Sequence, residues 1–161
     1  MKPIMSQVLF SLFTWFHAVA TVIFIGHYLL LALICLPAFE RQKPEIAGPI
    51  LSEVSKRSRV WMYSSLVIFM VTGIYLMIID PNYLGVGNFG NFWGIVMLVK
   101  HILIVVMITL GFFYNAILRV GPMMSSNTGA EQAIERFGVY SKWMAICGVL
   151  VLLLTAFAQF E

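Results

Sequence analysis

Charge is scarce in this sequence: Lys, Arg, Asp and Glu together make up 11% of its 161 residues, against 61% that are hydrophobic. Soluble domains carry about 25% charged residues, so a water-exposed globule is excluded and an integral membrane protein is expected. The seven carboxylates fall in polar connections or at the ends of apolar runs. No Ser-His-Asp arrangement, phosphate-binding loop or dinucleotide fingerprint occurs, so hydrolase, kinase and pyridine-nucleotide chemistries fall away.

Cysteine is nearly absent too. Cys35 and Cys147 lie in separate apolar stretches with no CxxC and no CxxCH, which excludes a disulfide framework and covalently attached haem. A formal net charge of +3 gives no case for nucleic acid. The first apolar run is preceded by a single Lys2 and lacks a small-residue cleavage site, so it reads as a retained helix rather than a removed signal peptide.

Long apolar runs are what the sequence has. They predict helices over about residues 7–36, 60–79, 92–118 and 137–160. The fold class expected is all-α: one domain, 1–161, forming an integral membrane four-helix up-and-down bundle. Residues 38–59 read as a polar loop with a short helix around 48–56, ahead of which Pro37 stops the first span. A second polar connection, 119–138, contains Arg119, Glu131, Glu135 and Arg136.

The loop at 80–91 has no Lys or Arg, whereas 38–59 carries five and 119–138 carries two. The positive-inside rule then puts the basic loops in the cytoplasm and both termini outside. Trp15, Trp61, Trp93 and Trp143 lie near span ends, as interfacial anchors do. Ala18, Ala20 and Gly26 are small residues that would admit a neighbouring helix or a second copy of the chain.

Lys100 and His101 stand out, side by side in an apolar run about 12–14 Å from Phe92. An ionisable residue at that depth is a functional candidate that needs a partner. In this topology His17 and His101 share a depth on two helices of the same direction. Two imidazoles so placed supply both axial ligands of a b-type haem held between helices. His27, ten residues after His17, lies ~15 Å deeper and belongs to a different site.

The alternative for each histidine is a hydrogen bond to a nearby carbonyl or hydroxyl. Lys100 has as candidate partners a haem propionate, the anionic end of a quinone or porphyrin, or Asp80, with snorkelling to the headgroups as the alternative. Tyr63, Tyr75, Thr109, Tyr114 and Asn115 read as structural polar groups. Met62, Met70 and Met77 form a stripe to which Met97 and Met107 add; thioethers suit Cu(I), although packing is the simpler role.

Four stretches carry a family resemblance. WFHAVATVIFIGHYLLLALICLPAFER, RVWMYSSLVIFMVTGIYL, LVKHILIVVMITLGFFYNAILR and GVLVLLLTAFAQF resemble the successive helices of the copper-resistance protein D type membrane domain. That pattern is shared with the HemJ-type protoporphyrinogen oxidases, four-helix membrane proteins associated with haem b. The resemblance implies His17 and Lys100 as motif positions and a multi-pass protein of a bacterial inner membrane, while His27 and His101 depart from the pattern.

The expected function is therefore haem b-dependent electron transfer within the bilayer, with quinone as a possible partner. His17 and His101 are the expected iron ligands, Lys100 lies near a propionate or substrate anion, and His27 is a candidate for a second haem. The alternatives are protoporphyrinogen oxidation, copper transport through the methionine stripe, and an accessory subunit of a homodimer or larger membrane complex.

Overall fold

A computed structural model of the chain describes residues 4–39, 41–117 and 127–159. Lys2, Glu40 and Arg119 lie outside the described residues, as do the side chains of Tyr114, Asn115 and Glu131. The described chain is all helix and loop, with four helices long and apolar enough to cross a membrane.

Helix α1, Ile4–Leu30, continues without a break through a π-helical turn, Leu31–Cys35, and a last turn, Leu36–Phe39. The expected stop at Pro37 is thus a widening instead. Proline donates no hydrogen bond and its ring clashes with the carbonyl four residues back, here that of Leu33. In the wide turn the Leu36 N–H bonds the Leu31 carbonyl, five residues back, which gives the helix room to pass the proline.

Helix α2, Pro44–Ile79, is one 36-residue element, so the predicted loop over 38–59 is largely helical. Pro44 sits in the first turn, where no N–H is needed, and Pro49 is the last proline before Ile79. Between them and the apolar segment, Arg57 Nε donates to Glu53 Oε1 at 2.6 Å, an i,i+4 pair that supports the polar turns. At ~1.5 Å per residue α2 is about 54 Å long, well beyond a ~30 Å hydrocarbon layer.

Residues 80–91 form a structured connection. Asp80 Oδ1 accepts the Asn82 N–H at 3.0 Å, and Gly85 and Gly87 take the left-handed φ values of +102° and +80° that its turns require. Asn91 then caps α3, Phe92–Ile117: its Oδ1 accepts the Gly94 N–H at 2.8 Å while its Nδ2 donates to the Asn82 carbonyl at 2.8 Å. This double tie fixes where α3 begins and hence the depth of Lys100.

Helix α4, Asn127–Phe157, starts ten residues before the predicted span. Residues 130–136, AEQAIER, are nearly all strong helix formers, so the polar connection winds into the helix it precedes.

In the bundle α1 packs along α2 and α4, while α3 packs mainly on α4. With lipid as apolar as the helices, close packing rather than apolar burial holds them together. A close approach joins α1 to α4: a Cβ at Gly148 would stand 2.8 Å from Ile25 Cγ2. Of the small residues expected to serve α1, Ala20 is buried, but Ala18 is exposed and Gly26 faces open space.

Trp15, Trp61 and Trp143 are exposed as anchors should be, at 58%, 67% and 59%. Trp93 is not. It is buried against the 80–91 loop, edge-on to Tyr83 with ring centroids 6.3 Å apart, because the loop folds over the start of α3.

Candidate functional site

His17 faces the protein. Its ring stacks on Phe69 of α2, centroids 4.6 Å apart and planes 21° from parallel, and its Nδ1 lies 2.9 Å from Thr72 Oγ1. Gly73 leaves the space the ring occupies, since a Cβ there would stand 3.1 Å from His17 Cε1. The Thr-Gly pair that closes the apolar run of α2 is therefore the cradle of His17: one residue bonds the imidazole and the next makes room for it.

One turn nearer the 80–91 loop, the Phe13 and Tyr75 rings pack with centroids 4.1 Å apart and planes tilted by 34°. Thr72 lies two turns before the end of α2, and Lys100 lies eight residues into α3 from the same loop, so both sit roughly 10–12 Å from it. They share a level. The Lys100 side chain is buried, 9% exposed.

Among the described residues no carboxylate meets its ammonium. The ion pair among the described residues is Arg57–Glu53, and Asp80, a candidate partner from the sequence, spends its carboxylate on the Asn82 N–H. Lys100 makes no hydrogen bond to any described residue. Burying a cation away from water is costly unless it is paired. An anion or a strong hydrogen-bond acceptor is the group this position lacks.

His101 is placed differently. It is exposed on α3, and its Nδ1 lies 2.6 Å from the Met97 carbonyl of its own helix. A carbonyl only accepts, so Nδ1–H donates and the ring is satisfied locally. The two expected haem ligands are not brought to one site: His17 points at α2, and His101 stands on the outer surface of α3. A haem held by this pair inside one chain does not fit the arrangement, because both ring nitrogens would have to project into a shared interior.

His27 is half-buried and packs edge-on against Tyr28 at 5.4 Å, apart from the His17 cradle as its depth requires. Deeper still in the interior, the Tyr28 and Tyr140 hydroxyls bond each other at 3.0 Å. That pair went unnoticed in the sequence, where nothing links two tyrosines 112 positions apart. The methionine stripe splits: Met62 packs against the core while Met70 is exposed at 39%. Tyr63 tilts against Phe112 at 5.9 Å, and Thr109 bonds the Val105 carbonyl of its own turn at 2.8 Å, both structural roles. Among the described residues no group of three His, Cys, Asp or Glu side chains is gathered as a metal site.

Comparison of the chain with family models, with curated proteins and with solved structures finds no match. The functional reading therefore rests on His17, Thr72, Gly73 and Lys100 themselves.

Proposed function

We propose that this protein takes part in electron transfer within the membrane by binding a redox-active amphiphile, of quinone type, at the level of His17 and Lys100. The observation that carries the reading is the Lys100 side chain, 9% exposed and with no ion pair or hydrogen bond to any described residue, at the level of the half-buried His17 ring. An oxygen-bearing headgroup reaching this level from the lipid supplies the acceptor that Lys100 needs. A lipid-soluble ligand suits a site buried in hydrocarbon, whose walls are themselves open to lipid.

Haem b is the second reading, with His17 as its one ligand from the bundle interior and Lys100 toward a propionate. It is favoured by the hydrogen bond that orients the His17 ring through Nδ1, the arrangement usual for a ligating histidine. Copper transport through the stripe draws no such support, since Met70 is exposed at 39% while Met62 packs on the core.

The test is to purify the protein with its lipids and to quantify extracted quinone by chromatography and haem by the pyridine haemochrome spectrum. About one quinone per chain, lost in Lys100→Met, supports the first reading. About one haem per chain, lost in His17→Ala, replaces it with the second. Neither species at more than trace level overturns both.

A further inference from the structure

We infer that the protein prefers anionic phospholipids, whose headgroups pair with a collar of Lys56, Arg59 and Lys142 at the end of the bundle away from the 80–91 loop.

The register of the helices brings these cations to one height. Thr72 of α2 stands beside His17 of α1, so the antiparallel pairing carries Ile25, eight residues further along α1, to about Ser64 of α2. Ile25 also packs on Gly148 of α4. Ser64 and Gly148 are therefore roughly level, and counting back along α2 and α4 puts Lys56, Arg59 and Lys142 within about one turn of a common height. Trp61 and Trp143, both exposed, fall in the same band. Indoles at that height mark the edge of the hydrocarbon. A ~30 Å layer measured from Ile79 ends in the same place, since about 20 residues of α2 carry it to Val60.

Lys56, Arg59 and Lys142 are exposed and form no ion pair among the described residues, whereas Arg57 is taken by Glu53. A Lys or Arg beside the headgroups favours an anionic surface over a neutral one by about fivefold. The collar requires only height and exposure, because each cation can meet a lipid of its own. The opposite end offers no such pairing: the 80–91 loop has Asp80 and neither Lys nor Arg. The collar is also continuous with surface that meets acyl chains, for Val60 adjoins Arg59, and Val139 and Ile146 flank Lys142, all three exposed. An anion at this height is thus the headgroup of a lipid whose chains lie on those residues, which favours a phospholipid over a soluble acidic partner.

The experiment is native mass spectrometry of the purified protein in detergent micelles, titrated with phosphatidylglycerol and with phosphatidylcholine of the same acyl chains. The expected result is a first bound phosphatidylglycerol at least fivefold tighter than phosphatidylcholine. In the triple variant Lys56→Gln/Arg59→Gln/Lys142→Gln the preference should fall to about twofold or less. Arg41→Gln/Lys43→Gln removes two cations from ahead of Pro44, some 24 Å of helix away from Val60, and should keep the preference. Equal helix content by far-ultraviolet circular dichroism shows that both variants are folded.

Equal affinity of the unmodified protein for the two lipids overturns the inference. A preference kept by the triple variant overturns it as well, because the anionic lipid then binds somewhere other than the collar. A preference lost equally in Arg41→Gln/Lys43→Gln overturns it in favour of a general effect of net charge.

Discussion

His17 Nδ1 and Thr72 Oγ1 lie 2.9 Å apart across 55 positions of sequence, and this contact ties the middle of α1 to a point two turns from the end of α2. It does two things at once. It satisfies a polar ring in a region that offers no water, and it sets which ring nitrogen is left for a ligand.

Thr72→Val should lower stability by about 1 kcal/mol, the net contribution of a typical intramolecular hydrogen bond. Thr72→Ser should stay close to the parent, because it keeps the hydroxyl. Thermal unfolding in one detergent, followed by far-ultraviolet circular dichroism, compares the two. A valine variant as stable as the serine variant would mean that the contact holds nothing together.

Three glycines on three helices separate close approach from mere tolerance. Gly148→Ala sets a Cβ 2.8 Å from Ile25 Cγ2, so the Ile25 side chain or the helix that bears it must shift, for which overpacking predicts a loss of about 1–3 kcal/mol. Gly73→Ala meets only His17 Cε1 at 3.1 Å; the ring must give by a few tenths of an ångström, so ligand affinity should suffer more than stability. Gly26→Ala meets nothing within 4 Å and should be neutral or stabilising by about 0.5–1 kcal/mol, as expected where alanine replaces glycine in a helix. Melting temperatures and ligand titration of the three variants check this order.

The four spans were legible because apolar runs of that length have few other outcomes, and the Asp80-Pro81 and Phe92 boundaries of the loop held to the residue. The helical extensions before 60 and before 137 were not. They are polar, and hydropathy reports where a helix meets lipid, not where it begins. In the site, His17 and Lys100 were both legible as costly groups at one depth. Which way His101 faces was not, because depth follows from counting residues whereas direction around a helix depends on how neighbours pack. The Thr-Gly pair was visible as a motif, but its purpose needed the His17 ring in place.

The Tyr28 and Tyr140 hydroxyls, 3.0 Å apart and buried, bridge α1 and α4 on the side of Ile25 away from the His17 cradle. A double-mutant cycle through Tyr28→Phe, Tyr140→Phe and the double variant should give a coupling energy of about 0.5–3 kcal/mol. The double variant should be less damaged than the two single losses added together, since removing both hydroxyls leaves neither facing an unanswered partner across this contact. Strict additivity would show that the two hydroxyls are bonded elsewhere.

Lys100 and His101 adjoin in sequence and should nevertheless respond to substitution in opposite ways. Lys100 is buried without an anion among the described residues, so in the ligand-free protein its charge opposes folding, and a methionine of similar length removes that opposition. Lys100→Met should therefore raise the stability of the ligand-free protein by about 1–3 kcal/mol while reducing ligand affinity at least tenfold. His101 is exposed and bonded within its own turn, so His101→Leu should leave both quantities nearly unchanged, with stability within about 0.5 kcal/mol of the parent. Melting temperature and ligand content measured on the same preparations give both signs together. Ligand lost from His101→Leu and kept by Lys100→Met would move the site from the bundle interior to the outer face of α3.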